Sequence, residues 1–98
     1  MIHAIDFDGV ITDKELRPIE GAKEALRTLF QRGDTIIVYT VKARTETGRC
    51  LVIDWLRNHQ MHFHEVTALK PQADWYLDDK AERFTNWESY SPLRSFDH

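Results

Sequence analysis

The sequence has few of the residues that cross-link a chain or interrupt its elements. It contains one cysteine, three prolines and four glycines among 98 residues. The single cysteine, Cys50, cannot form a disulfide within the chain, and the residues beside it offer no partner at metal-ligand spacing. We therefore expect a reducing, cytoplasmic compartment and no cysteine-based metal site.

Long apolar runs and an excess of basic residues are also lacking. No stretch approaches the roughly 18 consecutive apolar residues that a membrane span needs, and the first residues lack the basic start of a signal sequence. Thirteen lysines and arginines against sixteen acidic residues give a formal net charge of −3. We expect no membrane partner and no strong general binding to nucleic acid.

The composition is typical of one small globular domain. Hydrophobic residues make up 42% of the chain and charged residues 30%, close to the average for globular proteins. No repeat or linker divides the sequence, and a typical domain holds roughly 100 to 150 residues. We predict a single catalytic domain over residues 1–98, with a motif region over residues 1–80 and an aromatic segment, 81–98, that packs on a thin core.

Apolar runs alternate with amphipathic segments along the chain. Short β-branched and apolar runs predict strands at residues 2–5, 35–40, 64–67 and 75–77. Apolar positions at helical spacing predict helices at residues 18–32 and 45–60. Strands that alternate with helices build right-handed crossovers and a parallel sheet. We predict an α/β fold, a Rossmann-like three-layer sandwich with a mostly parallel central sheet.

Residues suited to phosphate chemistry stand at or after the end of each predicted strand. In strand order they are Asp6 and Asp8, then Thr40, then Lys70, and lastly Asp78 with Asp79. The carboxyl ends of parallel strands line one crevice, so residues distant in sequence should converge there.

These residue types together fit attack on a phosphate. A carboxylate and a phosphate dianion repel each other, so a cation must lie between them. Mg²⁺ suits this task because it prefers oxygen ligands and is commonly held by one or two carboxylates plus substrate phosphate. The Lys70 ammonium and the Thr40 hydroxyl are suited to hold the remaining phosphoryl oxygens.

The order of these motifs resembles the four-motif signature of the haloacid dehalogenase superfamily of phosphohydrolases. The matching motifs are Asp6-Phe7-Asp8-Gly9-Val10, the strand that ends in Thr40, Lys70, and Leu77-Asp78-Asp79. The resemblance covers about residues 1–80, and the stretch 70–81 is similar to small hydrolase-like members from bacteria and phages.

The resemblance implies a role for each matching residue. Asp6 is the expected nucleophile and forms an aspartyl-phosphate. Asp8 is the expected general acid and base, which favours phosphoryl transfer over cleavage of a carbon–halogen bond. Thr40 and Lys70 match the phosphate-binding positions. The implied Mg²⁺ ligands are Asp6, Asp8 through its backbone carbonyl, Asp78 and, directly or through water, Asp79.

The segments between the motifs are too short to hold a cap domain, which in this family closes over small substrates. The segments from Asp8 to Thr40 and from Thr40 to Lys70 are already filled by predicted helices and strands. We therefore expect an open site for a phosphorylated substrate, either a small molecule or a macromolecular end. The oligomeric state stays open.

An alternative is a metal- and phosphate-binding domain with a regulatory or binding role and little turnover. An acyl-phosphate receiver domain is one version. Its acidic pair lies at the first strand and its phosphorylated Asp at a middle strand, whereas here an acidic pair follows Lys70. This order disfavours the receiver.

Two other groups of residues have two interpretations each. The basic cluster Lys42, Arg44 and Arg49 would bind the leaving group of an anionic substrate or form a solvated helix start, and we favour the solvated helix start. The aromatic residues would stack on nucleic-acid bases or cover the thin core, and we favour the core. They are Phe84, Trp87, Tyr90 and Phe96.

Overall fold

The computed structural model describes residues 1–78 and 86–94, which form a small α/β domain. The strands in these ranges are β1 (Ile2–Asp6), β2 (Thr35–Tyr39), β3 (Glu65–Thr67) and β4 (Trp75–Leu77). The α-helices are α1 (Ala22–Gln31), α2 (Glu46–Asn58) and the short α3 (Ser91–Arg94), and 3₁₀ turns lie at Val41–Arg44 and Trp87–Ser89. The predicted α/β class is confirmed.

All four strands run parallel, in the order β3-β2-β1-β4. In the register, Asp6 lies opposite Tyr39, and Tyr39 lies opposite Thr67. Strand β1 is central and its middle residues, Ala4 and Ile5, are fully buried, as expected of a strand covered on both faces. The parallel direction brings the carboxyl ends of all four strands to one edge of the sheet.

Helix α1 begins four residues later than the sequence predicts. Pro18, the predicted start, instead pairs with Thr12 in an antiparallel bridge, and the Ile19 N–H donates to the Ile11 carbonyl at 2.9 Å. Gly21 then adopts a left-handed conformation, φ +89°, immediately before the helix. The predicted start was wrong because these longer-range backbone hydrogen bonds hold the residues before Gly21 in a hairpin.

The core is built from both crossover helices and the sheet. Helix α1 contributes Ala22, Ala25, Leu26 and Leu29, and α2 contributes Val52 and Leu56. Trp87 and Tyr90 are 2% and 3% exposed and belong to the same core. Phe84 and Phe96 lie outside the described residues. Within the described ranges, no helix has the length and apolar character required to cross a membrane.

A buried polar network lies at the amino end of β1. The His3 ring is fully buried; its Nε2 lies 2.8 Å from Asp34 Oδ2 and its Nδ1 2.9 Å from the Tyr90 hydroxyl. Burial lowers the pKa of His3, outweighing the opposite effect of Asp34. Partial burial alone would raise the pKa of Asp34, but hydrogen bonds from His3 and the Met1 amino group lower it. The ring is therefore neutral and the carboxylate charged near neutral pH.

Candidate active site

The carboxyl edge of the sheet forms a cleft of about 350 Å³. Its lining residues are Asp6, Asp8, Tyr39, Thr40, Val41, Ala68, Lys70 and Asp78. Five of the six predicted site residues therefore lie around one cavity, although they span 73 positions of the sequence. The sixth, Asp79, lies outside the described residues.

Asp6 and Asp8 take different positions because the chain turns between them. Asp6 is the last residue of β1, and its Oδ1 accepts a hydrogen bond from the Asp8 N–H at 3.2 Å. Gly9 has a φ of +83°, a conformation that glycine adopts without steric cost. The turn lets both carboxylates line the same cleft from successive points of the chain.

Asp8 contacts two donors from the segment that follows β2. The Thr40 hydroxyl donates to Asp8 Oδ2 at 2.7 Å, and the Lys42 ammonium contacts Asp8 Oδ1. Thr40 also caps the 3₁₀ turn, since its Oγ1 accepts from the Lys42 N–H at 3.2 Å. One threonine therefore holds the turn and orients the carboxylate.

The basic cluster of the sequence separates in the folded chain. Lys42 reaches Asp8, whereas the Arg49 Nε donates to the Val66 carbonyl at 3.0 Å and tethers α2 to β3. Arg44 is exposed and is not among the residues that line the cleft. The sequence predicts Lys42 to be a solvated residue at a helix start, and nothing in its local pattern indicates that the side chain turns back toward Asp8.

Asp78 is largely buried and is held by two other groups. Its Oδ2 accepts from the Tyr39 hydroxyl at 2.6 Å and from Lys70 Nζ at 3.4 Å. Lys70 Nζ also lies 4.9 Å from the centre of the Tyr76 ring, a distance that favours a cation–π interaction. The lysine is thereby aimed into the cleft by a carboxylate and an aromatic face.

Tyr39 is a cleft residue that the sequence analysis missed. It is the last residue of β2 and pairs in register with Asp6, the last residue of β1. That position was the available signal. Alternation along a strand predicts opposite faces for neighbouring residues such as Tyr39 and Thr40, so a site that includes Thr40 does not by itself indicate Tyr39.

A short hairpin over residues 12–18 flanks the cleft. Asp13 organises it by accepting hydrogen bonds at Oδ1 from the backbone N–H groups of Arg17 and Glu15, each at 2.9 Å. These bonds, with the Arg17 guanidinium, lower the pKa of Asp13.

A second cleft of about 540 Å³ lies beside the hairpin and includes Asp8 and Lys42.

The donors in the first cleft fit Mg²⁺ chemically. The carboxylates of Asp6 and Asp78 offer oxygen atoms, the ligand type that Mg²⁺ prefers. The Asp8 carboxylate contacts Thr40 and Lys42, so Asp8 would contribute its backbone carbonyl. Among residues 1–78 and 86–94, no three His, Cys, Asp or Glu side chains form a ready-made metal cluster. A site with one or two carboxylates, completed by water and substrate phosphate, is the common arrangement for Mg²⁺.

Comparison with protein-family models, curated proteins and solved structures finds no match to this chain. Function is therefore inferred from the motifs and from the side chains of the cleft.

Proposed function

We propose that this protein is a Mg²⁺-dependent phosphohydrolase of the haloacid dehalogenase superfamily, acting on phosphate monoesters. The observation that carries the proposal is the convergence of the predicted residues in one cleft. Those residues are Asp6, Asp8, Thr40, Lys70 and Asp78. Each comes from the carboxyl end of a strand or the segment after it, where ligands of open parallel sheets bind.

In the first proposed step, a carboxylate oxygen of Asp6 attacks phosphorus and forms an aspartyl-phosphate. The bond from phosphorus to the ester oxygen breaks, and its electron pair stays on that oxygen. The leaving oxygen takes a proton from the carboxylic acid form of Asp8. The Thr40 hydroxyl, 2.7 Å from Asp8 Oδ2, supports the orientation that this transfer requires.

In the second step, water loses a proton to the Asp8 carboxylate and attacks the same phosphorus atom. The bond between phosphorus and the Asp6 oxygen breaks, which restores the Asp6 carboxylate and releases inorganic phosphate. Lys70 would bind phosphoryl oxygens in both steps, and the single O–H of Thr40 would do so only when it is not donated to Asp8. Mg²⁺ held by Asp6, the Asp8 backbone carbonyl and Asp78, with Asp79 directly or through water, would offset the repulsion between nucleophile and phosphate.

The proposal includes a Rossmann-like three-layer arrangement without a cap domain. We expect the cleft at the carboxyl edge of the sheet to admit a phosphorylated small molecule or a macromolecular end. We also propose a cytoplasmic location, where a free, exposed cysteine such as Cys50 is typical.

Loss of the nucleophile tests the mechanism. With a chromogenic phosphate monoester and Mg²⁺, Asp6→Asn should reduce kcat/KM by at least about a thousandfold, because an amide cannot form the phosphoenzyme. Asp54→Asn, which neutralises an exposed acid on α2 outside the cleft, should retain activity. Chelation of Mg²⁺ should abolish turnover by the wild-type protein.

Asp8→Asn separates the two steps. With a chromogenic ester, whose leaving group departs without a proton from Asp8, Asp6 should still be phosphorylated. An asparagine cannot activate water, so the phosphate should stay on Asp6 and appear as a mass increase of the intact protein; with a poor leaving group, phosphoenzyme formation should be slow. Equal turnover by wild type and Asp6→Asn would refute the mechanism. Phosphate binding without turnover of any ester in a broad panel would instead support the regulatory alternative.

A further inference from the structure

We infer that the groove formed by Phe7, Leu16, Leu51, Val52 and Trp55 binds an apolar leaving group. The inference rests on the proposed function and specifies its substrate class. The substrate would be a phosphate monoester whose alcohol carries an aromatic or aliphatic body, rather than a sugar, a nucleotide or a phosphoprotein.

The groove is apolar and large enough for a small ligand. It encloses about 340 Å³ between α2, the 12–18 hairpin and the turn after β2, with Gly48 and Lys42 completing the lining named above. An engineered apolar cavity of about 150 Å³ already holds benzene, and small-molecule sites begin near 300 Å³. The space therefore suits a ring with a short apolar substituent.

The indole of Trp55 forms a wall that is fixed in advance. Its ring packs edge-to-face on Phe7, with centroids 5.2 Å apart, and stacks on His59 at 4.0 Å. Its Nε1–H donates to the Leu16 carbonyl at 2.9 Å. A side chain held on three sides loses little entropy when a ligand arrives, which favours binding.

Two leucines at the groove are exposed to solvent. Leu16 and Leu51 have 48% and 65% of their surfaces accessible, although both lie beside buried apolar residues. Leu16 also has a φ of +61°, which is uncommon for a residue with a branched side chain. Exposed apolar surface that is clustered in a concavity, rather than scattered, is typical of a binding site.

The groove adjoins the proposed catalytic residues through side chains that line the cleft between them. Leu16 and Lys42 line both the groove and the 540 Å³ cleft, and Asp8 lines both that cleft and the catalytic one. Lys42, whose ammonium contacts Asp8, lies at the junction. The leaving group of a phosphate bound near Asp6 would therefore extend past Asp8 and Lys42 to the groove.

The side chains that line the groove favour an apolar leaving group over a polar one. Apart from Lys42 at the junction, every side chain in the lining is apolar or aromatic, or is absent at Gly48. The one indole N–H is already donated to Leu16. A sugar or a base edge would leave its polar groups unpaired there, at a cost in binding.

A pair of substrates with similar leaving-group reactivity tests the inference. Wild-type protein should prefer 4-butylphenyl phosphate to phenyl phosphate by about tenfold or more in kcat/KM, because the butyl chain buries additional apolar surface. Leu51→Asp should reduce this preference to about twofold. Leu51→Met keeps an apolar side chain and should retain it, as should Cys50→Asp, which adds the same charge outside the groove.

Calorimetric binding of 4-butylphenylphosphonate and phenylphosphonate gives a readout that does not depend on turnover. If no ester is hydrolysed, tighter binding of the butyl compound that is lost in Leu51→Asp would still support the groove. If esters are hydrolysed without preference, the proposed function stands and the inference fails. A preference that survives Leu51→Asp would also overturn it.

Discussion

The ammonium of Lys42 lies against the carboxylate of Asp8 where two clefts meet. In the proposed mechanism, this ammonium would stabilise the negative charge that develops on the ester oxygen as the phosphoryl group is transferred. Arg44 carries the same charge two residues later but is exposed and outside the cleft lining. The two side chains therefore form a charge-matched pair for separating a local effect from the net charge of the protein.

Lys42→Met should lower kcat/KM for a phosphate monoester by about tenfold, the equivalent of roughly 1.4 kcal/mol in the transition state. Arg44→Met should change it by less than about twofold. Steady-state kinetics at two salt concentrations measure both. Equal losses in the two variants would show that Lys42 acts only through long-range attraction, which salt screens.

The buried ring of His3 predicts how stability depends on pH. Its pKa lies below the ordinary 6.5 because burial disfavours the charged ring. As pH falls through 6.5, the unfolded chain binds a proton that the folded chain resists, so the free energy of unfolding should decrease. Asp34, whose pKa is lowered from 3.8, should add a further loss as pH falls below that value.

Urea denaturation between pH 8 and pH 3 measures this dependence. His3→Gln retains a side-chain amide and does not titrate, so its curve should be flatter through the region near pH 6.5. His62→Gln, at a partly exposed position, is the control for the histidine-to-glutamine change itself. A wild-type slope in His3→Gln would assign the pH dependence to other groups.

At the scale of elements, the start of α2 is fixed by a close approach of two backbones. The 3₁₀ turn Val41–Arg44 packs on the first turn of α2, and Thr45 caps the helix by accepting from the Gly48 N–H at 3.0 Å. A Cβ placed on Gly48 would lie 1.9 Å from the Lys42 carbonyl oxygen. Glycine lowers helix propensity at this position, but the approach of Lys42 requires it.

Gly48→Ala should therefore destabilise the protein by about 1–3 kcal/mol through overpacking, instead of stabilising the helix by about 1 kcal/mol. Chemical denaturation measures the difference. Cys50→Ala, at an exposed position of the same helix, should stay within about 0.5 kcal/mol of wild type. A stabilised Gly48→Ala would show that the turn can move away at little cost.

Helix α1 shows a limit of sequence patterns at the same scale. The apolar spacing predicts its body correctly, since Ala22, Leu26 and Leu29 face the core. Its start was misplaced because Pro18 and Ile19 also satisfy a helical pattern. Their hydrogen-bonding partners lie six to eight residues earlier, and local propensity does not contain those pairings.

For the molecule as a whole, Trp87 packs the chain beyond β4 against the turn that follows β1. The Trp87 indole N–H donates to the Val10 carbonyl at 3.1 Å, and the side chain packs beside Gly21. Tyr90, three residues later, contacts His3. A small domain buries a limited fraction of its surface, so such large aromatic side chains carry much of its stability.

Trp87→Ala should cost about 3–5 kcal/mol of stability, a large share of what a domain of this size has. Trp87→Phe should cost less, because it keeps most of the apolar area and removes the hydrogen bond to Val10. Urea unfolding curves of the three proteins give the order. A loss below about 1 kcal/mol in Trp87→Ala would show that the C-terminal segment contributes little to the core.

The sequence by itself determined the α/β class, the body of each crossover helix and the set of residues at the strand ends. These follow from local periodicity and from the rule that parallel strands share one carboxyl edge. Only the tertiary structure decided that Tyr39 binds Asp78, that Lys42 contacts Asp8, and that Leu16 meets Trp55 at an apolar groove. These contacts join side chains across turns and between elements, and their geometry depends on how the elements pack, which a residue's local sequence does not specify.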